Sequence, residues 1–318
     1  MMRPEKSAIS GFSLGQVGGL LLVLALLVIG FGTLQPRFFS TQTLALVGNQ
    51  VPDLAVLACG MTLVMIAGGI DLSVGSVVGL STAVLGWALA AGHWPVWLAV
   101  PAALTVGLSC GLLNGSLSAL AGIPSFIVTL GMLEAARGAA YLVSGSQTRY
   151  LGTDLDSLIL PFSGLHLSPS TILAVLVIVA GQALLACTAF GRRLVAVGEN
   201  DQAAWRMGVN PKSTRIIAFA LCGLLAGLAG LFQAARLGSA DPNAGIGMEL
   251  GAIAAVVIGG ASPSGGRGSV LGSLLGVLVI AVLQTGLAQV GAADPLKRII
   301  TGAVIVLAVL ADAWRRRR

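Results

Sequence analysis

Residues 68–76 read GGIDLSVGS and separate two apolar runs that are each long enough to cross a bilayer. A carboxylate at membrane depth is costly unless it lies inside protein or lines a wet cavity, so Asp71 is a candidate functional residue. Asp71 or Ser73 can also cap the following helix by accepting hydrogen bonds from its first free N–H groups. We expect this capping in either case, and a functional role for Asp71 in addition to it.

The composition around this stretch indicates a membrane protein. Of the 318 residues, 56% are hydrophobic and 9% are charged. A soluble fold cannot bury so much apolar surface, so we predict an all-α, polytopic membrane protein with a single domain over residues 1–318. The apolar runs are continuous, which excludes the alternating strands of a β-barrel. Glycines at helical spacing, as in Gly107-x3-Gly111 and Gly223-x3-Gly227, predict closely packed helices.

About ten transmembrane helices are predicted. The spans are 16–34, 50–67, 73–91, 95–120, 124–143, 170–189, 214–236, 248–261, 268–290 and 297–313. The eighth is short and glycine-rich, so we expect it to be broken or re-entrant. Asp53 begins the second span and Glu249 begins the eighth, and both carboxylates are expected to cap helix N-termini.

Basic residues are distributed unevenly between the two sets of loops. With ten spans, twelve lysines and arginines fall on the side of the two termini and five on the other side. Basic residues favour the cytoplasmic side, so both termini are predicted to be cytoplasmic. The largest cytoplasmic loop is then 190–213, and the largest extracytoplasmic loop is 144–168. The net charge of +6 reflects this topology and gives no sign of nucleic-acid binding.

Two similar tetrapeptides suggest a weak inverted repeat. GIDL at 69–72 precedes the third span, and GMEL at 247–250 precedes the eighth. The predicted topology places them on opposite sides of the membrane, as an inverted repeat requires. Paired helix interruptions in the two halves of a chain are typical of transport pathways.

The 190–213 loop contains a predicted short helix. Residues 200–211 read NDQAAWRMGVNP, in which Asn200 or Asp201 can cap the helix, and Gly208 and Pro211 can end it. One side of the helix is expected to carry three small or flexible side chains: Ala203, Ala204 and Met207. Taken alone, this pattern is equally consistent with an ordinary interfacial helix.

Several motifs resemble those of ATP-binding-cassette importer permeases. Residues 202–208, QAAWRMG, resemble the Glu-Ala-Ala-x3-Gly loop of these proteins, with Gln202 in place of glutamate. More widely, the chain is similar to the ribose/xylose/galactoside-type sugar permeases of the branched-chain amino acid/sugar permease superfamily. The similarity covers roughly residues 45–290 and is carried by GGIDLSVGS at 68–76, LNG at 113–115, IVTLG at 127–131, RG at 137–138, GENDQAA at 198–204 and IGGAS at 258–262.

The resemblance implies a subunit of a bacterial inner-membrane importer, which works with a second permease copy, identical or related, two cytoplasmic ATPase subunits and an extracytoplasmic sugar-binding protein. It also implies that the short helix couples the chain to the ATPase through Asn200, Gln202, Ala203, Ala204, Arg206, Met207 and Gly208. Arg206, Lys212 and Arg215 offer positive charge to that partner. The chain has no Gly-x4-Gly-Lys-Ser/Thr loop, so we expect no enzymatic activity and no cofactor in it, with ATP and Mg²⁺ bound by the partner.

A neutral sugar needs hydrogen-bonding groups and some aromatic surface along its pathway. The candidate pathway or gate residues are Gly69, Asp71, Ser73, Asn114, Phe126 and Thr129. Interhelical hydrogen bonding is the alternative explanation for the polar ones, and also for Ser125. Glu134 and Arg137 are three residues apart in the fifth span, where we expect a structural ion pair. No metal site or catalytic constellation is predicted.

Two classes of function stay open. The first is the permease subunit of an ATP-driven, binding-protein-dependent importer of a ribose-like monosaccharide, or the same machine for a branched-chain amino acid or a nucleoside. The second is a stand-alone secondary carrier, which usually needs ionisable groups near the middle of the membrane. Such groups are few in this chain, and the sequence therefore favours the first class.

Overall fold

The computed structural model describes residues 14–160 and 167–293, and residues 295–310 except 298, 305 and 307–309. The helices are α1 (Leu14–Leu34), α2 (Thr41–Ile66), α3 (Val74–Gly86), α4 (Val96–Ala121), α5 (Ser125–Ser144), α6 (Pro169–Cys187), α7 (Ala189–Glu199), α8 (Asp201–Arg206), α9 (Pro211–Leu237), α10 (Met248–Ile258) and α11 (Val270–Gln289). A π-helical turn at Trp87–Ala91 extends α3, and 3-10 turns lie at Pro36–Phe39 and Asp156–Leu158. Strands β1 (Arg149–Tyr150) and β2 (Ser239–Ala240) pair antiparallel.

The described part of the chain contains eight helices that are long and apolar enough to span a membrane, which confirms the predicted all-α polytopic fold. The eighth predicted span, 248–261, is instead the 11-residue helix α10. At about 1.5 Å per residue, this helix covers roughly half of a hydrocarbon core. The expected broken segment is therefore found here, and the tenth predicted span, 297–313, lies partly outside the described residues.

The second span begins earlier than predicted. Ser40 accepts an N–H hydrogen bond from the first turn of α2, so the helix starts at Thr41 and not at residue 50. Asp53 consequently lies inside the helix, where it cannot cap the N-terminus, and its side chain is buried. Its Oδ2 lies 2.6 Å from Nη2 of Arg236 on α9. An ion pair, and not a helix cap, stabilises this carboxylate.

The buried centre of the bundle consists of α2, α3, α9 and α11, and α4 packs against α9 through glycines. A Cβ atom at Gly107 would meet the carbonyl oxygen of Gly223, and one at Gly223 would meet the carbonyl oxygen of Gly107. Neither position has room for a side chain, which confirms the predicted close packing. By contrast, the rest of the chain leaves most of α5 and α6 uncovered.

Contacts between helix ends define two faces of the bundle. The first, called the α8 face, holds α7, α8 and the end of α2, because Gly198 packs against the carbonyl group of Ile66. The same carbonyl group accepts a hydrogen bond from Gly266 N at 2.9 Å. The second, called the opposite face, carries the β1–β2 pair, where Arg149 is aligned with Ala240.

The segment 241–247 runs from the opposite face back along α3 before α10 begins. The carbonyl oxygens of Pro242 and Ala244 lie against Gly79 in the middle of α3. Gly245 packs against Gly75 in the first turn of α3. The helices α3 and α10 therefore begin beside each other, each after a non-helical segment.

The two tetrapeptides of the suggested repeat lie at these helix starts. GIDL at 69–72 precedes α3, and GMEL at 247–250 contains the first residues of α10. Glu249 Oε1 accepts a hydrogen bond from Gly247 N at 3.2 Å, as expected for a carboxylate at a helix N-terminus. Because α3 and α10 begin beside each other, the two tetrapeptides do not lie on opposite sides of the membrane, and that expectation is wrong. An inverted repeat itself stays a prediction.

Candidate functional site

A break at residues 67–73 separates α2 from α3. Gly68 has a φ of +78°, a left-handed conformation that glycine adopts without strain. A Cβ atom at Gly69 would lie 2.9 Å from Cζ of Phe219, so the backbone approaches α9 more closely than a side chain would allow. These two glycines end α2 and turn the chain against α9.

Asp71 lies in a buried hydrogen-bond network, with 1% of its surface exposed. Its Oδ1 accepts hydrogen bonds from Ser73 N at 2.9 Å and from Ser73 Oγ at 2.6 Å. The Asn114 amide on α4 donates to Ser73 Oγ at 2.9 Å and lies 3.5 Å from Asp71 Oδ2. The expected capping of α3 is wrong, because Asp71 binds only Ser73, which precedes the helix, and among the described residues no side chain accepts a hydrogen bond from the first N–H groups of α3.

Two hydroxyl groups of α5 bind the backbone of the same break. Ser125 Oγ accepts a hydrogen bond from Ile70 N at 3.1 Å, and Thr129 Oγ1 accepts one from Leu72 N at 3.1 Å. Non-helical backbone at membrane depth needs such partners, because lipid offers none. The break is therefore held by α5 on one side and by Asn114 of α4 on another.

Four of the predicted pathway residues take part in this network: Asp71, Ser73, Asn114 and Thr129. Gly69 allows the backbone to lie close to Phe219 of α9. The Phe126 side chain is 49% exposed and takes no part in the network. Oδ1 of Asn114 is buried without a hydrogen-bond partner among the described residues. Most of the other polar groups satisfy one another, which favours a role in fixing the helix break over direct contact with a solute.

The predicted short helix is present as α8, six residues long. Asn200 caps it through Oδ1, which accepts a hydrogen bond from Ala203 N at 2.9 Å, and Gly208 follows its end with a φ of +80°. Both features confirm the prediction. Pro211 does not end this helix but begins α9. The first N–H groups of a helix have no acceptor within the helix, so the N–H group that proline lacks is not needed there.

The three side chains expected on one side of α8 do not share it. Ala204 is 1% exposed and packs inward, whereas Met207 is 73% exposed and Ala203 also faces outward. Adjacent residues of a helix point about 100° apart, so Ala203 and Ala204 cannot face the same way. The outward surface carries these exposed side chains: Gln202, Ala203, Trp205, Arg206 and Met207.

Arg215, near the start of α9, connects α8 to the break after α2. Its Nη1 and Nη2 lie 2.8 Å and 2.9 Å from the two carboxylate oxygens of Asp201, the first residue of α8. Its Nε donates a hydrogen bond to the carbonyl oxygen of Ala67 at 3.2 Å. The interpretation of Arg215 as a charge offered to a partner protein is therefore wrong, because its guanidinium is engaged inside the chain.

Arg137 of α5 binds backbone carbonyl groups instead of a carboxylate. Its Nη1 donates to Pro242 O at 2.6 Å and to Ala244 O at 2.9 Å, and its Nη2 donates to Gly75 O at 3.3 Å. Glu134 is exposed, and in the described part of the chain no salt bridge joins it to Arg137. The predicted ion pair is therefore wrong. The guanidinium instead satisfies carbonyl groups of non-helical backbone that would otherwise lack donors.

Two contacts nearer the opposite face have no signal in the sequence. Asp53 and Arg236 join α2 to α9, and Tyr141 Oη donates to Asn243 Oδ1 at 2.7 Å. Tyr141 lies one turn beyond Arg137 on α5, so both side chains hold the 241–247 segment. The members of these pairs are 183 and 102 residues apart, and local spacing cannot reveal such partners.

A polytopic helical bundle with two hydrogen-bonded breaks and a short exposed helix on one face is typical of membrane transport proteins. A comparison with protein families gives the particular class. The family described as "Branched-chain amino acid transport system / permease component" matches residues 43–309. The chain belongs to this family.

Curated relatives align over most of the chain. The ribose import permease protein RbsC of Escherichia coli strain K12 is 37% identical over 297 residues, which cover 92% of each chain. The fructose import permease protein FrcC of Rhizobium meliloti is 37% identical over 93% of this chain and 85% of that protein. The autoinducer 2 import system permease protein LsrC of Yersinia enterocolitica is 39% identical over 75% of this chain and 66% of that protein. No solved structure gives a significant match.

Proposed function

We propose that this chain is the membrane-spanning permease subunit of an ATP-driven, binding-protein-dependent importer of a monosaccharide such as ribose, in the bacterial inner membrane. The family match supports the role, and the relatives named as ribose and fructose import permeases support the substrate class. The family description names branched-chain amino acids, and one relative is an autoinducer 2 permease. Another small solute carried by the same kind of machine is therefore the second candidate.

The α8 face is proposed to be the cytoplasmic one. It carries exposed basic side chains, namely Arg192, Arg193, Arg206, Lys212 and Arg267. Basic residues favour the cytoplasmic side of membrane proteins. Both termini then lie in the cytoplasm, and a sugar-binding protein docks on the opposite face.

The energy is proposed to come from partner subunits. This chain has no phosphate-binding loop, so ATP and Mg²⁺ are bound by two separate cytoplasmic ATPase subunits. The chain itself is then a transport subunit and not an enzyme. A second permease copy, identical or related, completes the importer.

The observation that carries the coupling role is the connection from α8 to the break before α3. Arg215 binds Asp201 of α8 through two contacts and Ala67 of the break through a third. A partner that presses on the exposed Trp205 and Met207 displaces α8, and Arg215 passes this displacement to residues 67–73. We therefore assign α8 as the coupling helix and the break as the gate that it moves.

Ribose uptake into proteoliposomes tests the import function. We expect labelled ribose to enter only when the ATPase subunits, ATP and the binding protein are present, and uptake to persist when ion gradients are collapsed. Uptake that needs an ion gradient and no ATPase subunit would identify a secondary carrier instead.

Two substitutions separate docking on α8 from transmission through Arg215. Ala203→Glu places a bulky charge on the outward surface, and we expect it to abolish both co-purification with the ATPase and transport. Arg215→Gln leaves that surface unchanged, so the ATPase should still bind and hydrolyse ATP while ribose uptake falls about tenfold. Arg193→Gln, an exposed arginine of α7 on the same face, is the control and should retain full uptake. An unchanged ratio of ribose imported to ATP hydrolysed in Arg215→Gln would contradict the transmission role.

A further inference from the structure

Glu134 is an exposed carboxylate at the middle of a membrane-spanning helix. It is the tenth of the 20 residues of α5, so about 15 Å of helix lies on either side of it. A charged side chain at this depth is costly when it faces lipid, and such residues turn to a protein interior or a water-filled cavity. The nearby cation, Arg137, is already bound to three carbonyl groups.

The side of α5 that holds Glu134 lies opposite its packed side. Ala136 and Ala140 are buried against the rest of the chain. Helical spacing places these residues on the side of Glu134: Ile127, Leu130, Gly131, Gly138 and Tyr141. A Cβ atom added at Gly131 or Gly138 would meet no atom within 4 Å. The carboxylate therefore lies between two glycines and faces open space.

Helix α6, which the chain leaves as uncovered as α5, has a different surface. The exposed side chains near its middle are Val175, Leu176 and Val179, which suit contact with lipid tails. On α5, polar groups recur along the uncovered side. Tyr141, two turns after Glu134 on the same side of the helix, donates an exposed hydrogen bond to Asn243 of the 241–247 segment. The two helices are comparably uncovered, and only α5 presents polar groups.

We infer that this side of α5 lines the solute pathway and that Glu134 accepts hydrogen bonds from the hydroxyl groups of a neutral sugar halfway across the membrane. The inference rests on the proposed import function. A carboxylate offers two acceptor oxygens, and the flanking glycines leave room for a sugar ring. Its negative charge also disfavours anionic solutes, such as sugar acids and sugar phosphates. Glu134 is thus a specificity-determining residue for neutral, polyhydroxylated solutes.

Accessibility to water tests the pathway assignment in the assembled importer. The parent carries Cys187→Ser, which removes an exposed thiol. We expect Glu134→Cys in this parent to react with a membrane-impermeant methanethiosulfonate, and ribose to slow the reaction. Val179→Cys, exposed at the middle of α6, is the matched control and should stay unlabelled. Equally low labelling at both positions would place Glu134 against lipid or in a dry contact with a second copy, and would overturn the inference.

Uptake tests the contact with hydroxyl groups. Glu134→Gln keeps an acceptor oxygen, so ribose uptake should stay within about threefold while exclusion of an anionic sugar weakens. Glu134→Leu should reduce ribose uptake about tenfold without loss of protein from the membrane. Full uptake by Glu134→Leu would overturn the assignment. Absence of ribose uptake in the unsubstituted importer, with Glu134→Cys still labelled, would contradict the proposed function but leave the water-lined face intact.

Discussion

The two breaks, before α3 and before α10, differ in the side chains that form hydrogen bonds with their backbone N–H and carbonyl groups. Both place non-helical backbone inside the bundle, where lipid cannot supply hydrogen bonds. In the first break, residues 67–73, N–H groups bind the hydroxyl oxygens of Ser125 and Thr129. In the second, residues 241–247, carbonyl groups bind the guanidinium of Arg137. The hydroxyl groups of α5 thus accept from N–H groups of the first break, whereas the Arg137 guanidinium donates to carbonyl groups of the second.

This difference indicates how firmly each break is held. The first is buried, and its hydrogen bonds are spread over several side chains of α4 and α5. The second leaves Ile246 60% exposed and depends on Arg137 for two carbonyl groups. Loss of one group in the first break removes one or two bonds, whereas loss of Arg137 removes three bonds, two of them to the 241–247 segment and one to α3. Because α5 supplies partners to both breaks, its position relative to α3 affects both.

The largest effect is expected from Arg137→Leu. The variant removes the donors to Pro242, Ala244 and Gly75, which should cost about 3 kcal/mol or more of stability. We expect ribose uptake to be abolished and the 241–247 segment to be cut faster in limited proteolysis. Arg137→Lys can reach fewer carbonyl groups and should be intermediate. Wild-type uptake and protection in Arg137→Leu would show that the second break does not depend on this side chain.

A smaller effect is expected from Asp71→Ala. The variant leaves the Ser73 N–H and hydroxyl groups without their buried acceptor, which should cost about 2 kcal/mol and lower uptake several-fold. Asp71→Asn keeps an acceptor oxygen and should recover most of the loss. Thermal unfolding in detergent, together with uptake, measures both variants. Equal and mild effects of the two would show that the first break does not depend on the Asp71 carboxylate.

The smallest effect is expected from Thr129→Val, which keeps the side-chain shape and removes one acceptor. Leu72 N–H is then unpaired, at a cost of about 1 kcal/mol, and uptake should fall less than threefold. Thr129→Ser restores the hydroxyl group and serves as the control. A loss as large as that of Arg137→Leu would make the first break, and not the second, the less tolerant one.

Features that depend on neighbouring residues were predictable from the sequence. The apolar runs predicted the membrane-spanning helices, since the thickness of a bilayer sets their length. Asn200 and Gly208 were correctly placed at the ends of α8, because caps and left-handed turns act within a few residues. The sequence predicts the interruption around Asp71 in the same way, but not the hydrogen bonds of Ser73 to Asp71 and of Asn114 to Ser73.

Features that depend on distant partners were decided by the tertiary structure. The spacing of Glu134 and Arg137 allowed an ion pair, yet packing brings the carbonyl groups of the 241–247 segment to Arg137 and leaves Glu134 exposed. Packing also encloses Asp53 and pairs it with Arg236, so a carboxylate interpreted as a cap is an interior ion pair. The sequence by itself determined which segments are helical and where they are interrupted, because those properties follow from local hydropathy and backbone conformation. Only the tertiary structure decided which distant side chain satisfies each interruption, because that choice depends on groups that folding brings together from more than 40 residues away.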